Sequence, residues 1–190
     1  MTVIVGLVSE GSVFMGGDHA ATGGLNQAIR KKPKVFIKGE IGIGYTGSFR
    51  MGDILEYSWT PPIWRKDEMS LDKYMCTVFV DSVRDIFKEK GFGKIAGDEG
   101  DEGGSFLVGI DGHIFNIEAN YQVAENNDDF IADGSGWGIA SGSLYTSFLN
   151  DPESRLTIAM EAASKFNAAV RAPFTIIEVK PYGENKNAKV

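Results

Sequence analysis

The sequence predicts an α+β fold in which helices cover two antiparallel sheets in layers. Three observations carry this. β-rich runs come in pairs around short turns that contain glycine, two longer stretches repeat apolar residues at helical spacing, and the order is hairpin, hairpin, helix, hairpin, helix, helix, strand. Packing helices onto paired sheets buries the apolar face of every one of these elements.

The elements are justified in chain order. Residues 3–8 and 12–16 flank Glu10-Gly11, where glycine supplies the positive φ of a tight antiparallel turn. Residues 34–37 and 41–45 flank Lys38-Gly39, and residues 106–110 and 113–118 flank Asp111-Gly112. Between Ser70 and Lys90, Leu71, Tyr74, Met75, Val78, Phe79, Val83, Ile86 and Phe87 form one helical stripe, with Ser70 placed as its cap. A helix is expected over 137–149. Another starts at Asp151-Pro152-Glu153, with aspartate as cap and proline in the first turn, and runs through Leu156, Ala159, Met160, Ala163 and Phe166. Residues 174–179 return to a β-branched strand. Phe14, Met15 and the Phe/Met helix stripe are assigned to the core.

The 190 residues suit one domain, placed at 1–182, followed by a polar tail at 183–190. A net charge of −7 opposes nucleic acid and anionic membrane surfaces, because both reward lysine and arginine. The single cysteine, Cys76, has no internal disulfide partner, no apolar run is long enough to span a bilayer, and no secretory signal opens the chain. The chain therefore reads as soluble and cytoplasmic. The acidic, glycine-rich stretch 96–104 resembles a calcium loop, but its ligand spacing fails and no helix pair flanks it, so no metal or other cofactor is expected.

An amino-terminal threonine is a nucleophile and base in one residue, because its own α-amine, with a reference pKa of about 8, can take the hydroxyl proton. No histidine is then needed. His19 and His113 sit outside any Gly-x-Ser-x-Gly or Cys/His setting and are read as ordinary polar positions. Singly, Thr2 is a tolerated second residue, Asp18 a turn former after two glycines, and Lys34 one of a basic cluster. Their spacings of 16 and 32 residues from Thr2 point to chemistry only through the resemblance they share in.

Residues 1–6, then Gly16-Gly17-Asp18-His19-Ala20-Ala21-Thr22 and Lys31-Lys32-Pro33-Lys34-Val35, resemble the opening segments of proteasome β-subunits and the bacterial HslV peptidase. Gly42-Ile43-Gly44-Tyr45-Thr46-Gly47-Ser48 and Gly134-Ser135-Gly136 are similar to later motifs of the same family, so the resemblance runs from Thr2 to Val179. It implies a four-layer αββα sandwich, the amino-terminal-nucleophile hydrolase fold, and a threonine peptidase whose Thr2 is freed by removal of Met1.

The resemblance also implies roles. Lys34 lowers the cost of ionising Thr2, and Asp18 orients Lys34 and keeps it charged. Ser135 orients the amine, and the Gly47 N–H forms the oxyanion hole. Thr22 hydrogen-bonds an extended peptide, while Ala21, Lys32, Tyr45 and Phe49 line the first specificity pocket. Aromatic walls there favour large apolar residues before the cut, and Lys32 repels basic ones. Where the family carries a supporting aspartate this chain has Asn167, or Lys165 or Ser164 if the helix register slips. Expected partners are peptide or unfolded protein substrates, identical subunits in a ring, and an ATP-dependent unfoldase.

Two rival readings remain: a catalytically silent ring or structural subunit of this fold, and an amidase for small amides. The lack of a propeptide before Thr2 resembles HslV, whereas residues 59–70, with Trp59, Pro61, Pro62 and Trp64, do not, so a divergent bacterial or phage-borne member is implied.

Overall fold

The structure, a computed structural model, describes residues 2–92, 94–96, 100–102 and 104–184. Met1, much of the acidic stretch read against a calcium loop (97–99 and 103), and the tail from 185 lie outside the described residues.

The chain opens with β1 (Ile4–Ser9), β2 (Ser12–Asp18), β3 (Ala20–Gly23), β4 (Asn26–Ile29), β5 (Val35–Lys38) and β6 (Ile41–Tyr45). Helix α1 (Phe49–Asp53) runs into a π-helical turn, Ile54–Ser58. Helices α2 (Leu71–Tyr74) and α3 (Val80–Glu89) are joined by a second π-turn, Met75–Phe79. There follow β7 (Lys94–Ala96), β8 (Gly100–Glu102), β9 (Phe106–Ile110), β10 (His113–Ile117), β11 (Val123–Glu125), β12 (Phe130–Asp133), α4 (Trp137–Thr146), α5 (Pro152–Phe166) and β13 (Phe174–Val179). One sheet has the order β12-β1-β2-β13 and the other β11-β10-β9-β6-β5, with antiparallel neighbours throughout.

The three expected hairpins form. At Glu10-Gly11 and Asp111-Gly112 both turn residues have positive φ, 50° and 78° in the first and 49° and 77° in the second, the turn whose twist matches its strands. The helix caps also form. The Ser70 hydroxyl accepts the Lys73 N–H, and the Asp151 carboxylate accepts the Ser154 N–H with Pro152 beginning the helix.

Side-chain alternation along the strands divides the core. Val3, Val5 and Leu7 pack with Leu144 of α4 and Leu156, Ala159, Met160 and Ala163 of α5. Ile4, on the opposite face, joins Val13, Met15, Leu107, Ile114 and Val179 between the two sheets. Ile43, Tyr45, Phe106, Val108 and Ile110 pack with Met51, Ile54, Tyr74, Phe79, Val83 and Phe87 from α1 to α3. Among the described residues no helix is long and apolar enough to cross a membrane.

Several expectations are corrected. Val78 is 38% exposed while Val80 is buried, because the π-turn Met75–Phe79 adds a residue to the helical repeat and rotates the stripe. Phe166 closes α5 on its exposed side, Phe14 is only half-buried, and the helix expected to reach residue 149 stops at Thr146. The β3–β4 hairpin leaves no mark in the sequence: β4 is exposed along its whole length and shows no apolar alternation. The 59–70 segment, unlike HslV in sequence, is anchored at two points, with Trp59 donating to the Ser82 hydroxyl and Trp64 packed between Tyr74 and Tyr182.

The sheets approach closely where Gly42 of β6 pairs with Gly109 of β9. A Cβ on Gly42 would lie 2.5 Å from Val179 Cγ2 and 2.7 Å from Met15 Sδ, and one on Gly109 would lie 2.8 Å from Val13 Cγ1. Gly42→Val is therefore expected to destabilise the fold by about 1–3 kcal/mol through overpacking. A urea denaturation midpoint equal to that of the parent chain would contradict this contact.

Candidate active site

The site begins with hairpin geometry. Ile4 pairs with Gly17 across the Glu10-Gly11 turn, so the next level holds Val3 opposite Asp18, whose N–H donates to the Val3 carbonyl at 3.2 Å. The end of β2 is thereby brought beside Thr2. Lys34 arrives from the other sheet: a Cβ on Gly17 would meet Val35 at 3.1 Å and Lys34 Cβ at 3.6 Å, so the start of β5 lies directly against the end of β2.

Thr2, Asp18 and Lys34 are all buried, with exposures of 1%, 0% and 3%. The Thr2 hydroxyl donates to Asp18 Oδ1. Lys34 Nζ directs its three protons to Thr2 Oγ1 (2.5 Å), Asp18 Oδ1 (2.7 Å) and the Ala20 carbonyl (2.5 Å). The Asp18 carboxylate further accepts the N–H groups of Val3 (3.2 Å), Ala20 (3.2 Å) and Arg171 (3.3 Å). Burial lowers the Lys34 pKa, and the attraction and hydrogen bond of Asp18 oppose that shift without cancelling it. Asp18 thus bonds the lysine directly, but its support for the charged form is only partial.

The turn after β12 clasps Thr2 from the other side. Ser135 Oγ lies 3.2 Å from both the Thr2 nitrogen and the Thr2 carbonyl oxygen, and the Gly136 N–H donates to that carbonyl at 3.1 Å. Gly134, at φ 90°, is required: a Cβ there would be 2.5 Å from the Thr2 carbonyl oxygen. Asn167, the residue that ends α5, donates through Nδ2 to the Ser135 carbonyl (2.6 Å) and accepts the Ala169 N–H through Oδ1 (2.9 Å). An aspartate has no donor for the first of these bonds. Among the described residues neither Lys165 nor Ser164, the alternative occupants, hydrogen-bonds Ser135, although the Ser164 carbonyl accepts from the Arg171 guanidinium.

Gly47 sits in the turn that leaves β6, at φ 75°, with open space where a Cβ would be. The Tyr45 N–H bonds the Lys34 carbonyl at 3.0 Å, so this turn and Lys34 share one end of the second sheet. The Phe49 ring centroid is 5.9 Å from Lys34 Nζ and 6.3 Å from the Tyr45 ring. Tyr45 is buried with its phenol pKa pushed up to about 12, chiefly by that burial. Ala21 and Thr22 follow Ala20 on β3, and the covered Thr22 hydroxyl has no hydrogen-bond partner among the described residues.

Lys32 is not the free cation expected from the sequence. Its Nζ is 2.6 Å from both Asp53 and Glu56 and 4.3 Å from the Tyr57 ring centroid. Burial alone would lower its pKa, but hydrogen bonds and attraction from the two carboxylates raise it above the ordinary lysine value. Two acids neutralise one base, which removes the like-charge repulsion assigned to Lys32.

His19 is also more than an ordinary polar position. It is buried, with Nδ1 3.0 Å from the Arg30 carbonyl and Nε2 2.7 Å from the Thr175 hydroxyl, and so ties the β3–β4 hairpin to β13. Since a carbonyl only accepts, Nδ1 carries the proton. His113 is exposed beside Glu125. Arg171, which gives its N–H to Asp18 and its guanidinium to the α5 carbonyls, also escaped sequence reasoning, because nothing local marks either bond. Among the described residues no three His, Cys, Asp or Glu side chains gather to hold a metal ion.

No family model matches this sequence, and no curated protein matches it. Solved structures do align with it over most of its length. The chain is similar to Thiobacillus denitrificans BPH solved in complex with epoxomicin, with a TM-score of 0.77 and 20% identity over 95% of this chain and 99% of that one. It is similar to eukaryotic HslV from Trypanosoma brucei, with a TM-score of 0.68 and 16% identity over 94% and 99% of the two chains. It is also similar to the ancestral β-subunit Anbu from Yersinia bercovieri, with a TM-score of 0.63 and 12% identity over 94% and 82%. The fold is therefore the one shared by HslV and proteasome-type β-subunits.

Proposed function

We propose that this chain is a threonine-type peptidase of the proteasome β-subunit and HslV kind, a divergent bacterial or phage-borne member, with Thr2 as nucleophile after Met1 is removed. The observation that carries the reading is the Thr2 hydroxyl held by a buried Lys34–Asp18 pair. A lone buried ammonium is costly, and this one is aimed at a hydroxyl. We read the sheets and helices as a four-layer αββα sandwich and residues 1–182 as one domain.

The chemistry follows from the residues. Thr2 Oγ1 attacks the peptide carbonyl while its proton passes to the freed α-amine, a transfer that Lys34 assists by stabilising the alkoxide. The Gly47 N–H stabilises the carbonyl oxygen as it gains charge, an effect worth about 3 kcal/mol. The amine returns the proton to the leaving nitrogen, and water then hydrolyses the Thr2 ester. Ser135, held by Asn167, keeps the amine oriented, and the Thr22 hydroxyl, unpartnered among the described residues, is suited to a substrate main-chain group.

Thr2→Ala is expected to reduce hydrolysis of an unfolded-protein substrate by at least about 10³-fold and to abolish covalent labelling by an epoxyketone. Lys34→Ala is expected to cost about 10²-fold or more. Full activity in the Thr2 variant would remove the basis of the proposal, and cleavage of small amides alone would favour the amidase reading.

The subunit is proposed to act in a cytoplasmic homo-oligomeric ring that encloses the sites, with an ATP-dependent unfoldase feeding it. Support comes from Trp137, Tyr145, Phe148 and Leu149, which expose 59%, 73%, 68% and 86% of their surface on and just after α4, an apolar display suited to another subunit. Sedimentation velocity should show a large homo-oligomer at micromolar concentration. A clean monomer would exclude the chamber.

Ala21 and Phe49 are proposed to wall the first specificity pocket, whereas Tyr45, assigned there from the sequence, is only 1% exposed and packs behind Phe49 in the core. With Lys32 neutralised by Asp53 and Glu56, selection rests on the partly exposed Phe49 ring, which favours a Leu- or Phe-sized residue before the cut. In a fluorogenic peptide panel varied only at that residue, apolar members should be cleaved fastest. A clear preference for arginine would show the two carboxylates to be the effective wall.

A further inference from the structure

We infer that Asp133 is a positioning residue that locks the turn clasping Thr2 to the turn carrying Gly47, an inference that rests on the peptidase reading for its catalytic consequence. Asp133 ends β12, opposite Ile4 of β1. Its Oδ1 accepts the N–H of Gly134 at 2.6 Å, and its Oδ2 accepts the Ser105 hydroxyl at 2.5 Å. The Ser105 carbonyl in turn accepts the Thr46 N–H at 3.3 Å and the Thr46 hydroxyl at 3.4 Å.

These bonds close a circuit. From Thr2 it runs through the Ser135 hydroxyl and the Gly136 N–H into the Gly134 turn, and through Asp133 to Ser105. It continues from Ser105 to Thr46, and from the adjoining Tyr45 N–H to the Lys34 carbonyl. Lys34 Nζ then returns to Thr2 Oγ1. The Asp133–Ser105 bond is a second side-chain link in this circuit between the two sheets, besides that of Lys34 to Thr2, and joins a strand of the first to the segment entering the second. Both joined turns contain a glycine at positive φ, Gly134 at 90° and Gly47 at 75°, so neither backbone is held by the steric preferences of ordinary residues. A carboxylate can hold both turns because it has two accepting oxygens, one for the amide of the first turn and the other for the serine that fastens the second.

The functional consequence is registration of the nucleophile against the group that stabilises the oxyanion, where a displacement of about 1 Å can cost about 100-fold in rate. Asp133→Ala is expected to lower kcat about 10- to 100-fold with KM changed less than about 2-fold, because the bonds concern the reacting geometry and not the peptide strand. Asp133→Asn should recover most of the loss: its oxygen still accepts from Gly134, and its amide donates to a rotated Ser105 hydroxyl. Ser105→Ala cuts the same link from the other side and should reproduce the kcat defect, which covers the case of an Asp133→Ala protein that fails to fold.

The readout that does not depend on activity is amide hydrogen exchange in the same proteins. Exchange should rise in both 44–48 and 134–137 for Asp133→Ala and Ser105→Ala and stay at the parent level for Asp133→Asn. Unchanged kcat in an active enzyme, or faster exchange in one turn only, would overturn the inference. A parent chain that lacks Met1 yet neither cleaves peptide nor takes an epoxyketone would overturn the peptidase reading instead, and exchange would then decide the coupling by itself.

Discussion

The arrangement of this molecule depends on one buried lysine. Holding the Lys34 ammonium away from water costs several kcal/mol unless each of its protons finds an acceptor, and the paired carboxylate carries a similar cost. Both costs are offset locally: Lys34 is satisfied by Thr2, Asp18 and Ala20, and Asp18 by Thr2 and the amides of Val3, Ala20 and Arg171. Five segments must therefore meet at one point: the head of β1, the end of β2, the start of β3, the approach to β5 and the loop after α5. Few packings of this chain bring all five together, so the same charge that serves the proposed chemistry also restricts the fold.

Convergence at that point requires the two sheets to lie close, because Thr2 and Asp18 come from one and Lys34 from the other. Gly42 and Gly109, paired across β6 and β9, remove side chains where Met15, Val13 and Val179 press in. The inter-sheet cluster of Ile4, Val13, Met15, Leu107 and Ile114 then fills the gap. Packing and site geometry are thus coupled: a thicker interface would draw Lys34 away from Thr2. The same seam carries the Asp133–Ser105 bond, which joins the two sheets a second time on the other side of Thr2.

The clasp on Thr2 rests on a neutral side chain, since Asn167 both donates and accepts. It uses the donor on the Ser135 carbonyl and the acceptor on the Ala169 N–H. It binds the end of α5 to the turn that holds Thr2 without adding a second negative charge near Asp18.

What the sequence determined by itself is what neighbours within a few residues decide. The Glu10-Gly11 and Asp111-Gly112 turns, the Ser70 and Asp151 caps and the helical stripes all rest on such local chemistry, and all were legible. Asp18 and Lys34 were both reached through a resemblance in their spacing from Thr2, and the bond between Thr2 and Asp18 came from the hairpin register of the folded chain. Tertiary structure alone decided the rest. The two acids that neutralise Lys32, the buried bonds of His19, the amide that Arg171 lends to Asp18 and the Asp133–Ser105 link all join residues whose partners are chosen by how the sheets and helices pack. The β3–β4 hairpin and the π-turns belong with them: an exposed strand carries no apolar alternation, and an extra residue in a helical turn leaves the composition unchanged while it rotates Val78 outward and Val80 inward.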